Sequence, residues 1–300
     1  MKILITGSTG MVGAALIPAL KAAGHDVTRL LRSASAAGTD LLWNPDAGAI
    51  DVQKLEGFDA VVHLAGENIA SGRWTPARKE RILQSRVKGT HLLAESLAKL
   101  QRPPRVLVSA SAIGYYGDRG AEVLSEESSP GTGFLPEVCR AWESATEPAT
   151  NKGIRVVHLR IGIVLSTRGG ALAKMLPPFR MGAGGKIGSG AQYMSWISLA
   201  DLCGAILHAI KTESLRGAVN AVSPRPLTNA EFTKELGTAL HRPAIFPLPA
   251  FAARLMLGEM ADALLLASIR IEPARLQASG FAFQDREIGP ALARILSLKI

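Results

Sequence analysis

Gly7, Gly10 and Gly13 follow Thr6 at three-residue intervals, directly after the apolar run from Ile3 to Ile5. Glycine at the mouth of a strand lets the backbone turn sharply. It also lets an anion approach the amides that open the next helix, where the helix dipole adds to the attraction. A loop of this kind, completed here by Ser8, Thr9, Met11 and Val12, cradles phosphate. A second group of residues could move protons. Ser109 and Ser111 end an apolar run, Tyr115 and Tyr116 follow closely, and Glu143 stands four residues after Cys139 on a helical stretch. Hydroxyls can orient a substrate oxygen, a phenol can donate a proton, and a buried carboxylate can accept one. Ser111 is the preferred orienting hydroxyl, with Ser109 as the alternative. A carboxylate one helical turn from a thiol raises the thiol pKa, so Cys139 reads as a packing residue rather than a nucleophile.

These groups require a scaffold that brings distant segments together. After the glycine loop, a helix pattern runs from Ala14 to Ala23, and Gly24-His25-Asp26 turns the chain into a second strand, Val27 to Leu31. A polar segment with Asn44-Pro45-Asp46 leads to the buried strand DAVVHLAG, residues 59–66. Residues 77–100 read as a helix, 105–111 as a strand, 134–151 as a helix and 154–165 as a strand. This alternation predicts an α/β fold, a Rossmann-type doubly wound parallel sheet with right-handed crossovers. Residues 1–165, joined by about 195–222, are expected to form the nucleotide-binding core. Residues 166–194 and 223–300 are expected to form a smaller C-terminal substrate-side lobe. The glycine-dense MGAGGKIGSG, residues 181–190, has no apolar strand feeding it and reads as a loop of that lobe. Ser198 and Asp201 can cap a helix that returns the chain to the main sheet, and Thr228 or Asn229 can cap one in the lobe.

In such folds the tip of the second strand meets the adenosine ribose. An acid there accepts from the 2'-hydroxyl of NAD, and a basic residue accommodates the 2'-phosphate of NADP. This chain places Arg29, Arg32 and Ser33 there, with no acid between Val27 and Gly38. The guanidinium fork of Arg32, helped by the Ser33 hydroxyl, selects NADP as the expected cofactor.

The segments TGSTGMVG, DAVVHLAG, SRVKGT, LVSAS and SWISLADL resemble the extended short-chain dehydrogenase and NDP-sugar epimerase superfamily along nearly the whole chain. GENIASGRW, the Trp142-Glu143 pair, GSGAQYMSWI and RLQASGFAF look like an atypical branch, NADP-binding epimerase-like proteins sometimes labelled cell-division inhibitors. The resemblance implies hydride transfer on a small polar substrate, sugar nucleotides among the candidates. It implies that His63, Leu64, Ala65 and Gly66 flank the cofactor, although a histidine in an apolar strand is more often a satisfied core residue. It places Arg86 on the nicotinamide side, with a surface ion pair as the rival reading. Ser109, Arg160 and Gly162 would lie near the nicotinamide, and Gly162 is equally explained by close packing. Active members carry a Tyr and, four residues later, a Lys; the matching positions here are Cys139 and Glu143. Glu143 could accept from a ribose hydroxyl, serve as a base, or pair with an arginine. The alternative to an enzyme is therefore a non-catalytic sensor of NADP(H).

Composition sets the outer bounds. With 300 residues, 47% hydrophobic and 20% charged, the chain can bury a substantial core. Much of the net charge of +9 falls in residues 73–105, which hold nine Lys or Arg against Glu80 and Glu95. Most of these read as a solvated helix face, with attraction of an anionic nucleotide as the functional reading. Nucleic acid is not expected, because no aromatic-rich sheet motif accompanies the charge. No uncharged apolar run is long enough to span a bilayer, and no membrane partner is expected. Cys139 and Cys203 form neither a C-x-x-C pair nor a metal cluster, so no metal is expected and a reducing cytoplasm is the simplest location. A homo-oligomer is left open.

Overall fold

A computed structural model describes residues 1–33 and 40–297. From the amino terminus the chain runs β1 (Lys2–Thr6), α1 (Met11–Ala22), β2 (Asp26–Leu31), β3 (Leu41–Asn44), β4 (Ala49–Ile50), β5 (Ala60–His63), α2 (Pro76–Ala98), β6 (Val106–Ala112), β7 (Val123–Leu124), α3 (Phe134–Ser144), α4 (Glu147–Asn151) and β8 (Arg155–Ile161). It continues through β9 (Ile163–Leu165), α5 (Gly170–Arg180), β10 (Tyr193–Met194), β11 (Trp196–Ser198), α6 (Leu199–Lys211) and β12 (Gly217–Ala221). The last part holds β13 (Leu227–Thr228), α7 (Asn229–Leu240), α8 (Ala250–Leu257), α9 (Glu259–Ala261), β14 (Arg270–Ile271), α10 (Ala274–Ala278) and α11 (Ile288–Ser297).

Eight strands form one sheet in the order β12-β8-β6-β5-β1-β2-β3-β4. All pairings are parallel except β3 with β4. Strands buried on both faces carry continuous apolar runs, as Ile3–Ile5 and Val106–Val108 do here. Leu16 and Leu20 of α1 pack with Leu202 and Ile206 of α6 on one face. Leu93 and Leu97 of α2 and Ala149 of α4 cover the other. The strand order reverses between β1 and β5, and ligands of such sheets bind beyond the carboxyl ends of the strands at that point.

Four local expectations change. The polar segment at Asn44 closes a hairpin: Asn44 Oδ1 accepts from the amides of Asp46 and Ala47, and buried Trp43 anchors the preceding strand. Residues 134–151 form two helices because Pro148 has no N–H to continue the ladder, and Thr146 turns its hydroxyl onto the carbonyl of Glu143. Residues 154–165 break at Gly162, after which β9 leaves the main sheet to pair with β11. At α6, Ser198 is the cap, whereas the Asp201 carboxylate accepts from the amides of Gln284 and Asp285 and ties down the C-terminal segment. Thr228 and Glu231 form a reciprocal capping box at α7. Leu172, Phe179, Trp196, Phe232 and Leu292 form a separate apolar cluster in this second part of the molecule.

Candidate active site

The glycine loop sits at the reversal point. Gly7 has a φ of +67°, and a Cβ on it would lie 2.6 Å from the Leu64 carbonyl carbon. A Cβ on Gly13 would lie 2.4 Å from the Gly7 oxygen. Both positions therefore require glycine for the loop to fold tightly against β5. Gly10 opens α1 without any side-chain cap, which leaves the amides of Met11, Val12 and Gly13 for an outside acceptor. Ser8 Oγ is buried and has no partner among the described residues. An uncapped helix start beside an unpartnered hydroxyl fits a pyrophosphate. Thr9 and Gly10 are exposed at the rim, and Met11 packs on Gly169 and Gly170. Gly66 is exposed and lies against the Arg86 guanidinium. Arg32 and Ser33 are exposed just beyond β2, whereas Arg29 pairs with Asp40 at 2.6 Å.

Two polar rungs cross the sheet near the carboxyl ends of its strands. In the first, register aligns Thr6, His63, Ser109 and His158. The His63 ring lies 2.7 Å from Thr6 Oγ1 and 2.9 Å from Thr90 Oγ1, and burial pushes its pKa down to about 4. His63 is thus a satisfied, neutral core residue, and Thr6 Oγ1 also accepts from the amides of Leu64 and Ala65. Ser109 is buried, with only a long 3.5 Å contact to the Ala110 carbonyl.

The second rung aligns Ser111, Arg160 and Asn220 across β6, β8 and β12. α3 lays Glu143 over it. Ser111 Oγ donates to Glu143 Oε1 at 2.6 Å, and Arg160 binds both carboxylate oxygens at 2.9 Å. Burial pulls the Arg160 pKa down, but the hydrogen bonds and charge of Glu143 outweigh it, and the net shift is upward. The salt bridge is thus the structure's outcome among the readings of Glu143. Arg160 also donates to the Tyr116 hydroxyl, which donates to Asn220 Oδ1 at 2.7 Å. Tyr116 is fully buried with its hydroxyl bonded to Asn220 and Arg160, and burial raises its pKa. Tyr115 is different: it is half-buried, its ring centroid lies 3.4 Å from the Arg160 guanidinium, and its hydroxyl makes no hydrogen bond among the described residues. Cys139 contacts the Ala112 carbonyl, and burial followed by the charge of Glu143 pushes its thiol up to about 12. A thiol held protonated is no nucleophile.

Other candidates resolve through packing. Gly162 is glycine because a Cβ would lie 2.7 Å from both the Ser195 oxygen and a Val222 methyl. Arg86 forms no ion pair among the described residues; it stacks 4.9 Å over Trp142 and donates to the carbonyls of Ile82 and Glu67, and burial lowers its pKa. Six of the nine basic residues in 73–105 are exposed, as a solvated face requires, and some of the stretch also makes specific contacts. Arg78 pairs with Glu67, Lys79 with Glu259, and Arg73 donates to the carbonyls of Leu255 and Met256. Asn220 and Glu126 join this hydrogen-bonded chain, and sequence reasoning missed them. Glu126 Oε1 accepts from the amides of Asn220 and Arg275, extending the buried chain toward the C-terminal segment. Strand parity alone could have placed Asn220 beside Arg160 had the register been known.

Sheet order, reversal point and glycine loop together define a Rossmann-type fold of the NAD(P)-binding class. The chain belongs to the NAD dependent epimerase/dehydratase family, whose model matches residues 3–221, while residues 248–295 match a domain of unknown function. An epimerase family protein of Mycobacterium bovis is 46% identical over 97% of this chain and 96% of its own length. The human epimerase family protein SDR39U1, solved with NADPH, superposes with a TM-score of 0.93 at 35% identity over 100% of both chains. A UDP-N-acetylglucosamine 4-epimerase from Bacillus cereus shares the fold with a TM-score of 0.77 at 18% identity, over 98% of each chain.

Proposed function

We propose that this protein is an NADP-dependent oxidoreductase or epimerase-like enzyme that acts on a small polar substrate, sugar nucleotides among the candidates. The observation that carries the reading is the Ser111–Glu143–Arg160 chain, which stands on the same sheet edge as the glycine loop. The amides of Met11, Val12 and Gly13 with Ser8 Oγ would hold the pyrophosphate, and Arg32 with Ser33 the 2'-phosphate. Leu64, Ala65 and Gly66 line the adjoining edge. NADP, when bound, supplies or takes up a hydride. Ser111, its proton committed to Glu143, presents its oxygen lone pairs to a substrate hydroxyl and so orients it. Tyr115 is the proton donor, with the charge of Arg160 against its ring. Arg160 fixes both oxygens of Glu143 and thereby the Ser111 rotamer. In this reading residues 1–165 with about 195–222 bind the cofactor, and residues 166–194 with 223–300 face the substrate. Cys139 and Cys203 are unpaired and buried, which supports a reducing compartment such as the cytoplasm.

One observation favours a second reading, a sensor that binds NADP(H) without turnover. The positions of the superfamily's Tyr and Lys hold an inert thiol and a carboxylate already engaged by Arg160. Incubating NADPH-loaded protein with a library of carbonyl compounds and sugar nucleotides separates the two. Loss of nicotinamide absorbance that Ser111→Ala and Tyr115→Phe abolish supports the enzyme. No oxidation by any substrate, together with strongly different affinities for NADP and NADPH, establishes the sensor instead.

A further inference from the structure

Large apolar side chains in water mark a surface that something else covers. In this protein they gather at one edge of the C-terminal lobe. Ile245, Phe246, Phe251, Leu255 and Met256 are each at least 60% exposed, and Met181 is 76% exposed. The local backbone makes them neighbours. Phe246 donates its amide to the Gly184 carbonyl at 3.0 Å and Leu248 to that of Lys186 at 2.9 Å, while Arg242 reaches the Arg180 carbonyl. Residues 180–186 therefore lie along residues 242–248, and α8 follows at once with Phe251 and Leu255 one turn apart on the same side. A Cβ on Gly185 would lie 2.0 Å from the Phe246 oxygen, so the two segments are held tightly together.

The same edge opens into a cavity of about 530 Å³ lined by Lys186, Lys234, His241, Arg242 and Ile245. No carboxylate lines it. Among the described residues, none of Lys186, Lys234 and Arg242 takes part in an ion pair, although eleven ion pairs form elsewhere. Of the acids of α7, Glu231 accepts from the amide of Thr228, and the Glu235 carboxylate lies close to Gly289.

We propose that this edge docks on an anionic phospholipid surface, with the ridge from Ile245 to Leu255 entering the headgroup–acyl boundary and the cationic cavity receiving a lipid phosphate. An apolar ridge flanked by unpaired cations is the complement of such a surface, where anionic headgroups stand over hydrocarbon. Charge selects this occupant over a second copy of the chain, because two such edges face to face would oppose cation to cation. No described helix is long and apolar enough to cross a bilayer, so the association is peripheral.

Co-sedimentation of the intact protein with phosphatidylcholine vesicles, with and without phosphatidylglycerol, tests the proposal. Binding is expected to rise at least about tenfold with the anionic lipid and to weaken with salt. Lys186→Glu and Arg242→Glu should each weaken it about fivefold or more. Phe251→Ser and Leu255→Ser should each reduce it about tenfold without altering NADP(H) affinity, which shows that these variants fold. Equal or absent binding to both vesicles overturns the proposal. So does binding of glycerol phosphate or inorganic phosphate without vesicle binding, which would make the cavity a small-anion site. Concentration-dependent dimerisation that Phe251→Ser abolishes, without vesicle binding, would give the ridge to a second copy and also overturn it. Each result leaves the cofactor reading intact.

Discussion

The two polar rungs cross one sheet two residues apart, yet they are built on opposite principles. Thr6 and His63 are buried, neutral and satisfied by local hydrogen bonds, and Ser109 beside them is buried and neutral. Ser111, Arg160 and Asn220 are tied to a buried carboxylate from α3, a buried phenol and the C-terminal segment. Where a site is made of backbone, as at Gly7 to Gly13, neighbouring side chains need only stay neutral and fill space. Where it is made of side chains, charge must be matched by charge brought from elsewhere in the chain, because an unpaired ion in the interior is costly.

Removing one member of the charged rung should break this contrast most severely. Arg160 and Glu143 side chains are only 5% and 13% exposed, so Arg160→Met strands a buried carboxylate and is expected to cost about 3–5 kcal/mol. Chemical denaturation measures this, and Arg160→Met combined with Glu143→Leu should recover part of the loss. A single variant within about 1 kcal/mol of the parent would show that water reaches the pair and that the rung is not charge-balanced as described.

The neutral rung predicts a pH effect. His63 has its pKa depressed from 6.5 to about 4, so between those values the unfolded chain binds the proton that the folded one refuses. Stability from this group is full above about pH 6.5 and falls as the pH drops toward about 4, a swing of about 3 kcal/mol. His158, also depressed by burial, acts in the same direction. Denaturation midpoints followed across this window should flatten in His63→Gln; an unchanged slope would mean the ring titrates alike in the folded and unfolded chain.

Gly13→Ala probes the backbone-made site. Its Cβ would collide with the Gly7 carbonyl, so the loop must shift, at about 2 kcal/mol in stability and about a hundredfold in NADP affinity. Calorimetric titration that found normal affinity in a stable Gly13→Ala protein would detach the loop from the cofactor. The smallest expected effect is Arg32→Ala, which should weaken NADP binding about tenfold and leave NAD nearly unchanged. Equal losses for the two would remove Arg32 from the 2'-phosphate.

The legible parts of this protein share a cause. Glycine spacing after an apolar strand reports a backbone constraint that only glycine meets, so the loop, the first helix and the sheet class could be read in chain order. The Cys139 and Glu143 positions on one helix face were legible for the same reason, being four residues apart. Tyr115 and Tyr116, by contrast, are indistinguishable as neighbours in sequence, and only the turn after β6 buries one and leaves the other's hydroxyl unpaired. The break at Gly162 and the stacking of Arg86 on Trp142 depend on contacts between segments far apart in the chain.

By itself the sequence determined the things that local chemistry dictates: a strand–glycine–helix cradle, an alternating parallel sheet, and a thiol and a carboxylate on one helix face. The tertiary structure alone decided which arginine holds Glu143, which tyrosine hydroxyl is buried and bonded, and where apolar side chains meet water. Those depend on register and on the distance between segments, which no spacing along the chain encodes.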